Sequence, residues 1–216
     1  MSKLLRAALP LVRSHGFTRD ALALSVLHLP PPDTHATPLS DSAISALFGA
    51  GLKAEHSLLN FFFDEGIQHM KERAQSQGRQ PTVKEMLEER LMFNEPVLDH
   101  LSTAFASLAS SPLPLQIPML DPLPGLKHAL KIADEACYLS GDTSTELSWY
   151  ARRASLAAIY TAAELHQITS PQTTLQFLDS LLESSSQLKK SVDEVGLFAS
   201  YLFKSSKAIL KSSGAL

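Results

Sequence analysis

Apolar positions recur three and four residues apart through almost the whole chain, the spacing that lines one face of an α-helix. Leu4, Leu5, Ala8, Leu11 and Val12 form the first such stripe, which ends at Ser14-His15-Gly16. Thr18 caps a second segment over 21–29. Pro30-Pro31-Pro32 stop it, because proline lacks an amide hydrogen and crowds the preceding turn. After a polar loop, Ser40-Asp41-Ser42 open a short helix over 39–48 that Gly49 closes. The pattern then predicts a long helix over 53–74, around Leu58, Leu59, Phe61, Phe62, Phe63, Ile67 and Met70. Pro81-Thr82 start a helix over 83–93, and Pro96 starts another that runs to about Ala109.

Residues 110–124 hold five prolines in an apolar context, so this stretch is expected to be irregular and packed against something. Further helices are expected over 125–140 and 145–168. Ser170-Pro171 begin one with Leu175, Leu178, Leu181 and Leu182 on one face. No segment alternates with the period of two that marks a strand, and no repeat is visible. The expected fold is all-α, with about nine helices followed by a C-terminal amphipathic helix. It divides into a head over 1–52, a helical body over 53–190 and a terminal segment over 191–216.

The chain has 216 residues, 44% of them hydrophobic, which is enough for a sizeable core. Its formal charge of −3 gives no bulk attraction to nucleic acid. A single cysteine, Cys137, excludes an internal disulfide and reads as a small buried hydrophobe. No run of about 18 apolar residues encodes a spanning helix.

The eight histidines form neither a His-Glu-x-x-His pair nor a Glu-x-x-His pair, and there is no phosphate-binding Gly-rich loop or nucleophile elbow. The pairs Asp64-Glu65 and Glu88-Glu89 read as solvated helix faces. No catalytic residue, metal site or cofactor is expected.

Two segments carry more specific signals. The first is Gly141-Asp142-Thr143-Ser144-Thr145-Glu146-Leu147-Ser148-Trp149-Tyr150-Ala151-Arg152-Arg153, where a helix opens with its only tryptophan and two arginines inside about one turn. Such residues anchor interfaces, although Trp149 as a core plug with solvated arginines fits equally well. The second is the terminal segment. On a helical wheel Leu197, Phe198, Tyr201 and Leu202 gather with Val195 on one side, and Lys204 and Lys207 on the opposite flank with Lys211. That is the pattern of a helix lying in a membrane interface, and also of a terminal helix docked on the domain or on a second copy.

Residues 4–63 resemble the DNA-binding head of TetR-type regulators: a helix ending in His15-Gly16-Phe17-Thr18, a second helix, a third ending in Phe48-Gly49, and a long fourth. In a working repressor the third helix would enter the major groove. Here it reads Leu-Ser-Asp-Ser-Ala-Ile-Ser-Ala-Leu-Phe, with no Lys or Arg to reach base edges or phosphates. The TetR-like fold is therefore expected without nucleic-acid binding. A TetR-type regulator that binds DNA and a hydrophobic ligand is the alternative reading.

Together with that head, the run 140–165 is similar to the ubiquinone-biosynthesis accessory lipid-binding proteins of mitochondria and some bacteria. The carrying elements are Ser140-Gly141-Asp142-x-Ser144-Thr145, Trp149-Tyr150-x-Arg152-Arg153-Ala154, Leu156-Ala-Ala-Ile-Tyr160 and Glu164-Leu165. The middle of the chain matches only by helix order, and the Pro-rich stretch over 30–38 departs from the family pattern.

The resemblance implies a non-catalytic homodimer that binds an isoprenoid or quinone lipid or a phospholipid. It implies peripheral attachment to the matrix side of the mitochondrial inner membrane through the terminal helix. It implies a partner, the di-iron demethoxyubiquinone hydroxylase of the ubiquinone-synthesis complex, contacted through Asp142, Trp149, Tyr150 and Arg153. Candidates to line a lipid cavity are Phe62, Phe63, Met119 and Leu120, although any one Phe fits ordinary core packing as well.

Overall fold

The computed structural model of the chain describes residues 1–109, 123–142 and 146–188. Among these are nine α-helices and no strand, so the fold is all-α as the periodicity predicts. In order they are α1 (Ser2–His15), α2 (Arg19–Ser25), α3 (Asp41–Phe48), α4 (Lys53–Ser76), α5 (Val83–Met92), α6 (Leu98–Ala109), α7 (Leu123–Leu139), α8 (Glu146–Thr169) and α9 (Thr174–Leu188). The proline-rich stretch with Met119 and Leu120 lies outside the described residues. So does the terminal segment with Leu197, Phe198, Tyr201, Leu202, Lys204 and Lys207.

The helix starts follow local chemistry. Thr18 and Ser40 each accept the amide of the residue three positions on, at 3.4 and 3.2 Å. Thr82 does the same to Glu85 while the Glu85 carboxylate reaches back to the Thr82 amide at 2.7 Å, a reciprocal cap that satisfies two donors of the first turn. The second helix stops four residues earlier than its apolar pattern suggests, and Val26–His28 tighten into a 3-10 turn before the prolines. The Pro-rich loop after it is pinned to α1 by Lys3 Nζ on Asp33 Oδ2 at 2.7 Å.

Two apolar clusters share α4, whose 24 residues span about 36 Å. Its first half places Leu58, Leu59, Phe62 and Phe63 among Ala8 and Val12 of α1, Leu22 of α2, Ile44 of α3 and Leu101 of α6. The head thus shares its core with α4 and α6. The second half places Met70 among α5, α7, α8 and α9, with Leu87, Leu91, Ile132, Ile159 and Leu178 fully buried. The expectation that both acidic pairs face water is overturned at Glu89. Its carboxylate is largely buried, because Arg73 donates to it through Nε and Nη2 at 3.2 and 3.0 Å.

Candidate functional site

The turn that ends α7 builds the surface next to Trp149. Gly141 sits at φ 68°, in the left-handed region, and its amide donates to Tyr138 O at 3.1 Å. The Asp142 amide donates to Cys137 O at 3.0 Å. This nested pair closes the last carbonyls of α7 and requires the left-handed residue that glycine supplies cheaply. A Cβ on Gly141 would also meet the Gln80 side-chain amide at 1.7 Å. Gln80 is exposed and can swing aside, so the backbone conformation dominates the cost. Gly141→Ala is expected to lower unfolding stability by about 1–3 kcal/mol in a urea titration. Adding Gln80→Ala should recover only a minor part, and full recovery would refute the backbone argument.

The turn sets Asp142 under the first turns of α8. There Arg153 forms a clamp. Its Nε donates to Asp134 Oδ1 of α7 at 2.6 Å, its Nη1 faces Asp142 Oδ2 at 3.5 Å, and its guanidinium lies 3.9 Å from the Trp149 ring centroid. Arg152 Nε faces the same Asp142 oxygen at 3.3 Å. Arg153 is only 7% exposed. A guanidinium held away from water against an indole face and fixed by carboxylates immobilises that ring. Trp149 is half-buried and meets Tyr150 edge-on, their centroids 4.7 Å apart.

The four residues singled out from sequence are therefore brought together in two roles. Trp149 and Tyr150 offer surface, Tyr150 being 70% exposed, while Asp142 and Arg153 lie beneath and hold them. Two members were missed. Asp134 completes the clamp, and Tyr138 is 76% exposed one turn beyond it on the same face of α7. Their signal was the same four-residue spacing that Trp149 and Arg153 show on α8. Cys137 lies fully buried beside this site, and burial pushes its thiol above its ordinary value, so it packs as a neutral side chain.

A polar cluster inside the second core was also missed. Arg90 is fully buried, its Nη1 donating to Asn94 Oδ1 at 2.6 Å and its Nη2 lying 3.5 Å from His128 Nε2. Asn94 Nδ2 and the Tyr160 hydroxyl both donate to Glu164 Oε1, at 2.9 and 2.7 Å. Gly66 of α4 leaves room for the guanidinium, since a Cβ there would lie 2.8 Å from Arg90 Nε. Burial pushes the His128 imidazole below its ordinary value and leaves it neutral. Burial opposes an ionised Glu164 as well, but the facing His128, the Arg90 charge and the Tyr160 hydroxyl outweigh it and hold the carboxyl down at about 2. This is a buried charge cluster enclosed in the second core.

The two phenylalanine candidates separate. Phe63 stacks on His128 at 3.6 Å in the core, whereas Phe62 lines a groove of about 680 Å³ between α1, α4 and α5. Among the described residues no group of three or more His, Cys, Asp and Glu could hold a metal ion. None of the described helices is long and apolar enough to cross a membrane.

Comparison with known proteins points to one family. The COQ9 family model matches residues 123–189, which include α7, α8 and the aromatic surface. The ubiquinone biosynthesis protein COQ9, mitochondrial, of Bos taurus is 27% identical over 197 residues, 89% of this chain and 59% of its own length. The Rattus norvegicus protein of the same name is 29% identical over 207 residues, covering 89% and 61%. That of Schizosaccharomyces pombe is 27% identical over 223 residues, covering 98% and 80%. The chain thus spans about three fifths of the length of the first two relatives.

Proposed function

We propose that the chain is a member of the COQ9 family, whose relatives are named mitochondrial ubiquinone biosynthesis proteins, and that it is a non-catalytic accessory of ubiquinone biosynthesis. In this reading it holds an isoprenoid lipid or quinone intermediate at the membrane and presents it to the di-iron demethoxyubiquinone hydroxylase. It works as a homodimer on the matrix side of the mitochondrial inner membrane, held there peripherally by its terminal helix.

One observation carries the reading. The Trp149 ring is fixed by a buried Arg153 clamp and meets the exposed Tyr150 edge-on, and among the described residues no group of His, Cys, Asp and Glu beside it could hold a metal. Rigid aromatic side chains bind partners at low entropic cost, and a buried arginine that only fixes one of them is a docking device. The groove at Phe62 supplies apolar lining for an amphiphile whose tail prefers lipid to water by about 0.8 kcal/mol per CH₂. The regulator alternative is disfavoured by α3. Its exposed side chains are Asp41, Ser42, Ala46 and Leu47, and the neighbouring Arg19 is drawn back onto Asp41 at 2.6 Å.

Organic-solvent extraction of the purified chain, followed by mass spectrometry, tests the lipid role. A quinone-like isoprenoid or a phospholipid in near-stoichiometric amount is expected. Protein that emerges lipid-free and also fails to take up isoprenoid quinone from vesicles would refute it.

A further inference from the structure

We infer that the first half of α7 is a second contact with an anionic lipid surface, laid flat on the bilayer. The inference rests on the membrane attachment proposed above. It adds a contact outside the terminal segment and an orientation for the helical body.

α7 buries His128, Ala129, Ile132, Ala133 and Ala136 against its neighbours. Helical spacing turns the positions between them outward. Three of those positions are leucines, and Leu123, Leu126 and Leu130 are 55%, 48% and 37% exposed. They stand three and four residues apart, so they form one stripe about 10 Å long. A single leucine in water is ordinary; three in register on one face mark a contact.

Charge identifies what the stripe meets. Lys127 and Lys131 are both exposed and lie four residues apart on its flank. The acids nearby are mostly engaged. Arg153 donates to Asp134 at 2.6 Å, and Lys71 faces Glu135 at 3.2 Å. Asp64 lies 3.4 Å from Lys131 with both side chains largely in water, where such a pair is weak. Lys127 meets no carboxylate among the described residues. The flank therefore keeps a surplus positive charge.

Leucines beside lysines suit a bilayer surface. The leucines enter the boundary between headgroups and acyl chains, while each lysine stem lies along it and carries its ammonium to the phosphates. A protein partner fits less well. Three leucines along about 10 Å of helix fall far short of the roughly 800 Å² per partner that a stable interface buries. Lipids need neither that area nor a matching shape. Contact is along the helix, since none of the described helices is long and apolar enough to cross a membrane. The same helix ends in the Gly141 turn and holds Asp134 of the clamp. An α7 resting on the bilayer thus keeps the Trp149 surface beside the membrane plane.

Cys137 is the only cysteine and is fully buried, so an environment-sensitive dye can be placed at one chosen position of the full chain. Leu126→Cys reports on α7, and Leu175→Cys, exposed on α9, is the control. On phosphatidylcholine vesicles containing phosphatidylglycerol at one part in four, a blue shift is expected for the first and not for the second. Leu126→Glu with Leu130→Glu is expected to weaken vesicle binding at least about tenfold, and Lys127→Glu about threefold. Circular dichroism verifies that each variant is folded. A vesicle-bound chain whose dye at 126 is unshifted, or a double variant that binds as tightly as its parent, would overturn the α7 contact and leave the terminal attachment standing. A blue shift without vesicles that grows with protein concentration would overturn it too, by giving this face to a second copy. Phe198→Glu probes the terminal segment. If it binds as its parent does while the α7 variant fails, the terminal attachment is refuted and the α7 contact stands. A parent chain that binds no vesicles overturns both.

Discussion

Glu164→Gln is expected to lower unfolding stability by about 3–5 kcal/mol, and the melting temperature by on the order of 10 °C. The reason is the neighbour it leaves behind. Arg90 is fully buried, and Glu164 is the carboxylate of its cluster, reached through Asn94 and flanked by Tyr160 and His128. Glutamine keeps the shape and loses the charge, so the guanidinium remains in the core without a counter-ion. Removing both charges, as Arg90→Met with Glu164→Leu, should regain most of the loss, since apolar replacements avoid the desolvation of both ions. A Glu164→Gln protein as stable as its parent in urea would show that the pairing is not what permits Arg90 to be buried.

The same cluster sets the acid response. Glu164 titrates at about 2 in the fold against an ordinary 4.5, so its contribution is fully present above about 4.5 and is lost as pH falls from there toward 2. His128 is pushed below its ordinary 6.5 by burial, so the unfolded chain gains a proton before the folded one does. Stability therefore starts to decline as pH drops below about 6.5, and the two groups act in the same direction. In Glu164→Gln the decline between 4.5 and 2 should flatten. An unaltered acid limb would contradict this assignment.

Which features could be read from the sequence follows from the range of the interactions that make them. Thr18, Ser40 and Thr82 cap helices through bonds three residues long, and Gly141 closes one over five, so these boundaries are written locally. Arg90 and Asn94 fall on the same stripe as Met86, Leu87 and Leu91, and Glu164 and Gln167 on that of Leu156 and Tyr160. Charged and amide residues in register with a core stripe are a signal of burial, but their partners are not, because Asn94 and Glu164 are 70 residues apart. The same holds for Glu89, which looked like half of a solvated pair until Arg73 was brought against it. The residues proposed for an interface were picked by type, and their division into a supporting layer and an exposed layer needed Asp134, a residue with no distinguishing local context.

That division yields the second large effect. If the chain docks on the di-iron hydroxylase as proposed, Trp149→Ala is expected to weaken that binding at least about thirtyfold while unfolding stability changes little, because the ring is half-exposed and rests on the surface. Arg153→Lys should also weaken binding, by about tenfold, although it keeps the charge and the residue is only 7% exposed. An ammonium has no planar face to lie under the indole at 3.9 Å and no fork to span Asp134 and Asp142. The lysine variant therefore separates support from contact. If Arg153 touched the partner mainly as a charge, lysine would preserve affinity; if it fixes Trp149, lysine fails and the Trp149 fluorescence reports a loosened ring. Tyr138→Ala, outside the segment that first drew attention, should weaken binding too if the surface extends to α7, where its 76% exposed ring stands one turn beyond Asp134 of the clamp. Surface plasmon resonance with the intact hydroxylase measures all three. Unchanged affinity for Trp149→Ala would remove this face from the interface, and the clamp beneath it would then be only a strut between α7 and α8.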